Sequence, residues 1–164
     1  MEPTADRPNI PYGILPASEG AGLMPWSRVE ERMRSAYIYW VATVTTEGRP
    51  HAVPVWGVWL DGTLYFSNGP TTTTGRALAK LPEVSVHLES GEDAVIIEGS
   101  VEAATDAALV GRINDAYMPK YLWKDRMNEG WYALRPRIAF AWLCPSAGVS
   151  ESVYASTATR WRFT

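Results

Sequence analysis

The sequence predicts a mainly β fold with minor α: six or seven antiparallel strands, closed toward a barrel, with a few short helices. Three observations carry this. Runs of β-branched and aromatic residues recur between turn signals. Asp61-Gly62 between two such runs is a hairpin signal. Helical periodicity is confined to short stretches. Tight turns imply antiparallel pairing, and closing the sheet removes its exposed edges. With 164 residues, 46% of them hydrophobic, the chain is large enough to bury a core and too apolar to be disordered.

In chain order, residues 1–25 carry prolines and glycines without periodicity and are expected to form a poorly structured arm. Residues 26–164 are expected to make one domain. Ser27 followed by Glu30 forms a capping box that opens a helix to about Ala36, with Val29, Met33 and Ala36 as its apolar stripe. The run YIYWVATVT from Tyr37 reads as the first strand, and Gly48 allows the next turn. In PHAVPVWGVWL, Pro50 and Pro54 cannot donate to a ladder, so this second strand lies at an edge or kinks at Pro54. TLYFS follows the hairpin. A Thr-rich loop then enters a short helix from Arg76 that Pro82 ends. A strand over 84–88 and another over 94–103 come next, with Gly99 as a bulge. Thr105 or Asp106 caps a helix to about Tyr117, and 119–135 reads as aromatic and irregular. The sixth strand covers 138–143, a Ser/Ala/Gly linker follows, and TRWRF makes a last short strand.

Composition and motifs exclude several classes. A net charge of −3 gives no electrostatic footprint for nucleic acid. No basic leader precedes an apolar core, and no apolar run reaches the roughly 18 residues of a membrane span. One cysteine, Cys144, rules out an internal disulfide and reads as a buried, inert thiol of a cytoplasmic protein. The two histidines, His51 and His87, stand too far apart in sequence to suggest a metal site, and the usual hydrolase and nucleotide-binding motifs are absent. So thin an acid–base repertoire favours a cofactor that brings its own chemistry, or no chemistry.

The most informative stretch is 50–81. Two hairpin strands lead into Thr71-Thr72-Thr73-Thr74-Gly75-Arg76 at a helix start. Hydroxyls, helix N-terminal amides and an arginine fork are the groups that hold a phosphate. The same residues also describe a solvated loop with an N-cap, and taken alone the loop favours that second reading.

The ordered series ATV, Gly turn, PHAVPVW, DG hairpin, YFS, the Thr loop with Arg76, PEVSV and IEGSVEA ending in Asp106 extends loosely through AYMPKY to TRWRF. It resembles the pyridoxamine 5'-phosphate oxidase-like split β-barrel family, in particular its flavin- and deazaflavin-dependent branch. The resemblance implies a split barrel that dimerises, with FMN, or alternatively coenzyme F420, at the subunit interface. It places the ring by Val53, Pro54, Val55 and Trp56, its polar edge at Phe66 and Ser67, and the phosphate on Thr72, Thr74, Gly75 and Arg76. His51 lies within cofactor or substrate reach, and Arg160 and Trp161 approach the same site from the tail. No catalytic side chain is singled out. Thr74 stands where the resemblance implies a lysine, and Ala77 where it implies an asparagine. A lost cation removes about 1.5–3 kcal/mol from a phosphate grip. Twelve arginines against three lysines leave the acidic tail of F420 accommodable. The implied function is hydride transfer with a small organic substrate. The alternative is a non-catalytic cofactor-binding, storage or sensing protein of the same fold.

Overall fold

A computed structural model describes residues 2–9, 14–16, 18–144 and 151–164, except the side chains of 151 and 152. Nine strands and four helices make up these residues: β1 (Thr4–Asp6), α1 (Trp26–Ser35), β2 (Tyr39–Val44), β3 (Pro50–Val55), β4 (Gly57–Leu60), β5 (Thr63–Ser67), α2 (Thr73–Lys80), β6 (Glu83–His87), β7 (Asp93–Ala103), α3 (Ala107–Tyr121), β8 (Trp131–Leu143), α4 (Glu151–Thr157) and β9 (Thr159–Arg162). The fold is mainly β and antiparallel. Pairing runs β1-β9-β8-β7-β6-β2-β3, while β5 pairs with both β4 and the start of β8. Only Trp56 separates β3 from β4. The order β3-β2-β6-β7-β8-β5-β4 therefore returns to its own starting strand, and the barrel closes across this break. The strand PHAVPVWGVWL is thus both an edge and a kink, with the kink two residues beyond Pro54.

The interior is filled from both ends of the chain. Tyr39, Val41, Leu64, Phe66, Val86, Ile97, Leu134 and Trp161 pack with Val29 and Met33 of α1. A second cluster joins Val110, Ile113, Tyr117 and Tyr121 of α3 to Val58, Tyr65, Trp131 and Ala133, so α3 covers the β4-β5-β8 side. The Asp61-Gly62 turn has positive φ at both residues, as a type I′ hairpin requires. The register of β7 against β8 shifts between Glu98 and Gly99, the expected bulge.

Several expectations need correction. The supposed arm contains β1, which pairs with β9, because Arg7 anchors it from behind by donating to the carbonyls of Glu19, Ala21, Ser156 and Ala158 at 2.6–3.1 Å. The capping box does not form. Helix α1 starts at Trp26 after Pro25, whose extended backbone ends the leader, and Ser27 lies inside the helix. Burying the Trp26 ring against Trp161 and Phe163, 5.5 and 5.0 Å between centroids, draws that residue into the first turn. Helix α3 runs four residues past Tyr117 despite Pro119, because its last turn is bonded from outside by Lys120 and Tyr121. The sixth strand begins at Trp131 rather than 138. Cys144 is exposed, since it follows the end of β8, where burial stops. The 145–150 linker lies outside the described residues. No helix among the described residues is long and apolar enough to cross a membrane.

Candidate functional site

Two open clefts flank the loop between β5 and α2. The first, about 410 Å³, is lined by Pro54, Val55, Trp56, Ser67, Asn68, Gly69 and Tyr117. Alternation along β3 turns Val53 and Val55 inward and leaves Pro54 exposed. Trp56, in the break itself, is 37% exposed. Its indole lies flat on the Tyr121 ring, 4.6 Å between centroids and 6° between planes, with the Trp123 ring edge-on at 6.2 Å. Burial raises the pKa of the Tyr117 phenol above its ordinary value. Among the described residues no carboxylate, imidazole or amine lines this cleft, so what it offers is a flat aromatic wall and short polar groups.

The second cleft, about 420 Å³, is lined by Thr45, Thr46, Glu47, Arg49, Pro50, His51, Thr73 and Arg76. Two guanidinium groups and an imidazole face one carboxylate there. Hydrogen bonds from the hydroxyls of Thr46 and Thr45 hold the Glu47 carboxyl down at about 2, so it stays charged and opposes an incoming anion. Arg76 is exposed and touches the Thr71 carbonyl. Lys80, one helical turn on, donates to the Thr46 carbonyl at 2.8 Å and ties α2 to the β2–β3 turn.

The loop joining the clefts is built with no slack. Thr72 is the N-cap of α2: its hydroxyl accepts from the Gly75 amide at 2.9 Å and sits 2.8 Å from the Gly69 carbonyl. Gly75 is required by close approach, since a Cβ there would stand 2.1 Å from the Gly69 oxygen. Thr74 is 2% exposed, its hydroxyl turned into the protein.

Of the residues singled out from sequence, Pro54, Val55, Trp56 and Ser67 share the first cleft, and His51 and Arg76 share the second. Val53 packs against the core instead. Phe66 is completely buried, stacked on Tyr132, and does not line either cleft. Thr72, Thr74 and Gly75 shape the loop, and of its threonines it is Thr73 that lines the second cleft. Arg160 is held by both carboxylate oxygens of Asp6 at 2.5 and 2.7 Å, a pairing that also lowers the Asp6 pKa. It lines neither cleft. Trp161 is a core residue, 1% exposed.

Sequence reasoning missed Asn68, Gly69, Thr73 and the end of α3. The signal for the last was present in AYMPKYLW, where Tyr117 and Tyr121 recur at helical spacing, but Pro119 obscured it. Together the clefts fit a flat ring joined to an anionic group: Trp56 offers an open aromatic surface, and Arg76 and Thr73 offer donors at the start of α2.

The sequence profile of pyridoxamine 5'-phosphate oxidase matches residues 26–142. The chain belongs to this family. The match begins at α1 and ends in β8, so both clefts lie inside it. Among curated proteins none matches significantly. Among solved structures, a conserved hypothetical protein from Mycobacterium tuberculosis superposes with a TM-score of 0.68 at 18% identity, covering 80% of this chain and 96% of that one. A heme binding protein from Mycobacterium smegmatis gives 0.60 at 22% identity over 82% and 62% of the two chains. An F420 reductase gives 0.54 at 20% identity over 67% and 94%. Identities this low establish a shared fold, here that of the pyridoxamine 5'-phosphate oxidase-like split barrels.

Proposed function

We propose that this family member is a homodimeric, cytoplasmic oxidoreductase that uses FMN, or alternatively coenzyme F420, to transfer hydride to or from a small organic substrate. The observation that carries this reading is the pair of clefts on one loop, an aromatic one on Asn68 and Gly69 and a cationic one on Thr73 and Arg76. In it the ring rests by Pro54, Val55, Trp56 and Ser67, while Arg76, Thr73, His51 and the first amides of α2 take the phosphate. The bound cofactor supplies the hydride chemistry. The chain's own residues orient the ring and exclude water, and among the described residues the titratable side chain lining the first cleft is the Tyr117 phenol, which burial keeps protonated. Dimerisation is supported by a half-buried row, Trp40, Ile96 and Phe140 with neighbouring Ile138, across the outer face of β2, β7 and β8. The F420 reductase among the structural neighbours bears on the choice of cofactor as an analogy of fold.

Equilibrium dialysis against FMN and against F420 tests the reading. Binding of either, weakened about ten- to hundredfold by Arg76→Ala, is the expected result. Failure to bind both sinks the proposal. Binding without turnover of any electron donor points to the non-catalytic alternative.

A further inference from the structure

The break at Trp56–Gly57 is fastened from a distant helix. The Gly57 amide donates to the Tyr121 hydroxyl at 2.9 Å, and that hydroxyl lies 2.7 Å from the Tyr37 carbonyl. The same hydroxyl lies 2.8 Å from the Gly57 carbonyl, which also receives the Lys120 ammonium at 2.8 Å, so its one proton is shared between the Tyr37 and Gly57 carbonyls. Lys120 also lies 3.1 Å from the Tyr39 hydroxyl, which donates in turn to the Met33 carbonyl at 2.6 Å. Gly57 admits no side chain, since a Cβ would stand 2.7 Å from the Tyr65 carbonyl, so the backbone has no alternative seat here. The Tyr121 ring also carries the Trp56 indole on its face. The C-cap of this helix, Leu122, stands in the left-handed region at φ 52°, where glycine is usual, and is 85% exposed. Strain of this kind persists only where surrounding contacts hold it.

We propose that Tyr121 and Lys120 are positioning residues, which fix the Trp56–Gly57 break from the end of α3 and thereby set the aromatic wall of the first cleft. The inference rests on the ring-binding reading for its consequence, but not for its geometry. Tyr121 acts through Gly57 and Trp56 and does not line the cleft itself. Its removal therefore changes how well a ring is held without touching the phosphate side.

Hydrogen exchange measured by NMR on the ligand-free protein tests the geometry, and FMN or F420 dialysis tests the consequence. In Tyr121→Phe, which keeps the stacked ring, the Gly57 amide is expected to exchange at least tenfold faster. Ring-cofactor affinity is expected to fall about tenfold, while affinity for inorganic phosphate stays unchanged. Lys120→Met is expected to act in the same direction and Lys120→Arg to restore most of the loss. Unchanged Gly57 exchange in folded Tyr121→Phe overturns the proposal, and so does altered exchange with unchanged cofactor affinity. If the unmodified protein binds neither FMN nor F420, the ring-binding reading fails, and Gly57 exchange still decides whether the break is fixed from α3.

Discussion

Two arginines mark two regions that use the same chemistry differently. Arg7 is 3% exposed, and its guanidinium donates to main-chain carbonyls from residues 19–21 and 155–158, which fastens the first strand to the last segment of the chain. Arg76 is exposed at the rim of a cleft, with a single loop carbonyl beside it. A cation whose donors are all engaged by its own chain is structural. One that keeps donors turned to solvent beside hydroxyls and a helix start is available for a ligand. The loop around Arg76 shows the same division at finer grain: Thr72 and Gly75 are used up in shaping the turn, and Thr73 and Arg76 are left facing outward.

Breaking the structural side should give the largest effect. Arg7→Met leaves several carbonyls without donors and should cost about 3 kcal/mol. A thermal midpoint lower by about 10 °C would register that loss, with cofactor affinity of the folded protein unchanged. Gly75→Ala drives a methyl into the Gly69 carbonyl. It should cost about 1–3 kcal/mol and also abolish anion binding, which chemical denaturation and phosphate titration would read together. Arg76→Ala should reverse the first pattern: stability within about 0.5 kcal/mol of the parent, with the loss confined to affinity. A stability loss like that of Arg7 would erase the distinction drawn between the two.

The smallest effect concerns the latch on Gly57. Burial lowers the Lys120 pKa to about 8, whereas the unfolded chain holds that proton to about 10.5. Between these values the unfolded state binds more protons, so stability rises with pH. Burial also raises the phenols of Tyr39 and Tyr121, the latter to about 12, so above pH 10 the unfolded chain loses protons the native state keeps and stability falls. Urea midpoints should therefore climb between pH 8 and 10, by an amount of order 1 kcal/mol after solvent screening, and then turn down. Lys120→Met should flatten the climb.

Most of the barrel was legible in the sequence because strand composition and turn chemistry are local. Asp61-Gly62 and Gly99 each announce a hairpin or a bulge within a few residues. The cationic side of the site was legible for the same reason, being one helix start and one turn. The aromatic side was legible only in part: Pro54, Val55, Trp56 and Ser67 stand close together in sequence, but the end of α3 does not announce itself. Trp56 is placed by Tyr121, across a sequence gap spanned by five elements, and Pro119 argued locally against the helix that carries Tyr121. Thr72 and Thr74 were read as ligands because a row of hydroxyls does not reveal which one the helix turns inward. Trp161 looked like a site residue in the tail, and packing against Trp26 makes it core.

The pairing of Thr4 with Arg162 has a kinetic consequence. Among the described strand pairs none joins residues farther apart in sequence, so closing it carries a large loop entropy and few local rewards. The barrel strands between them can form first, and this outer pair docks onto a finished surface. Interactions made after the folding barrier slow escape from the native state more than they speed its formation. The strap around Arg7 is then a lock on unfolding, and changes there should appear mainly in the unfolding rate.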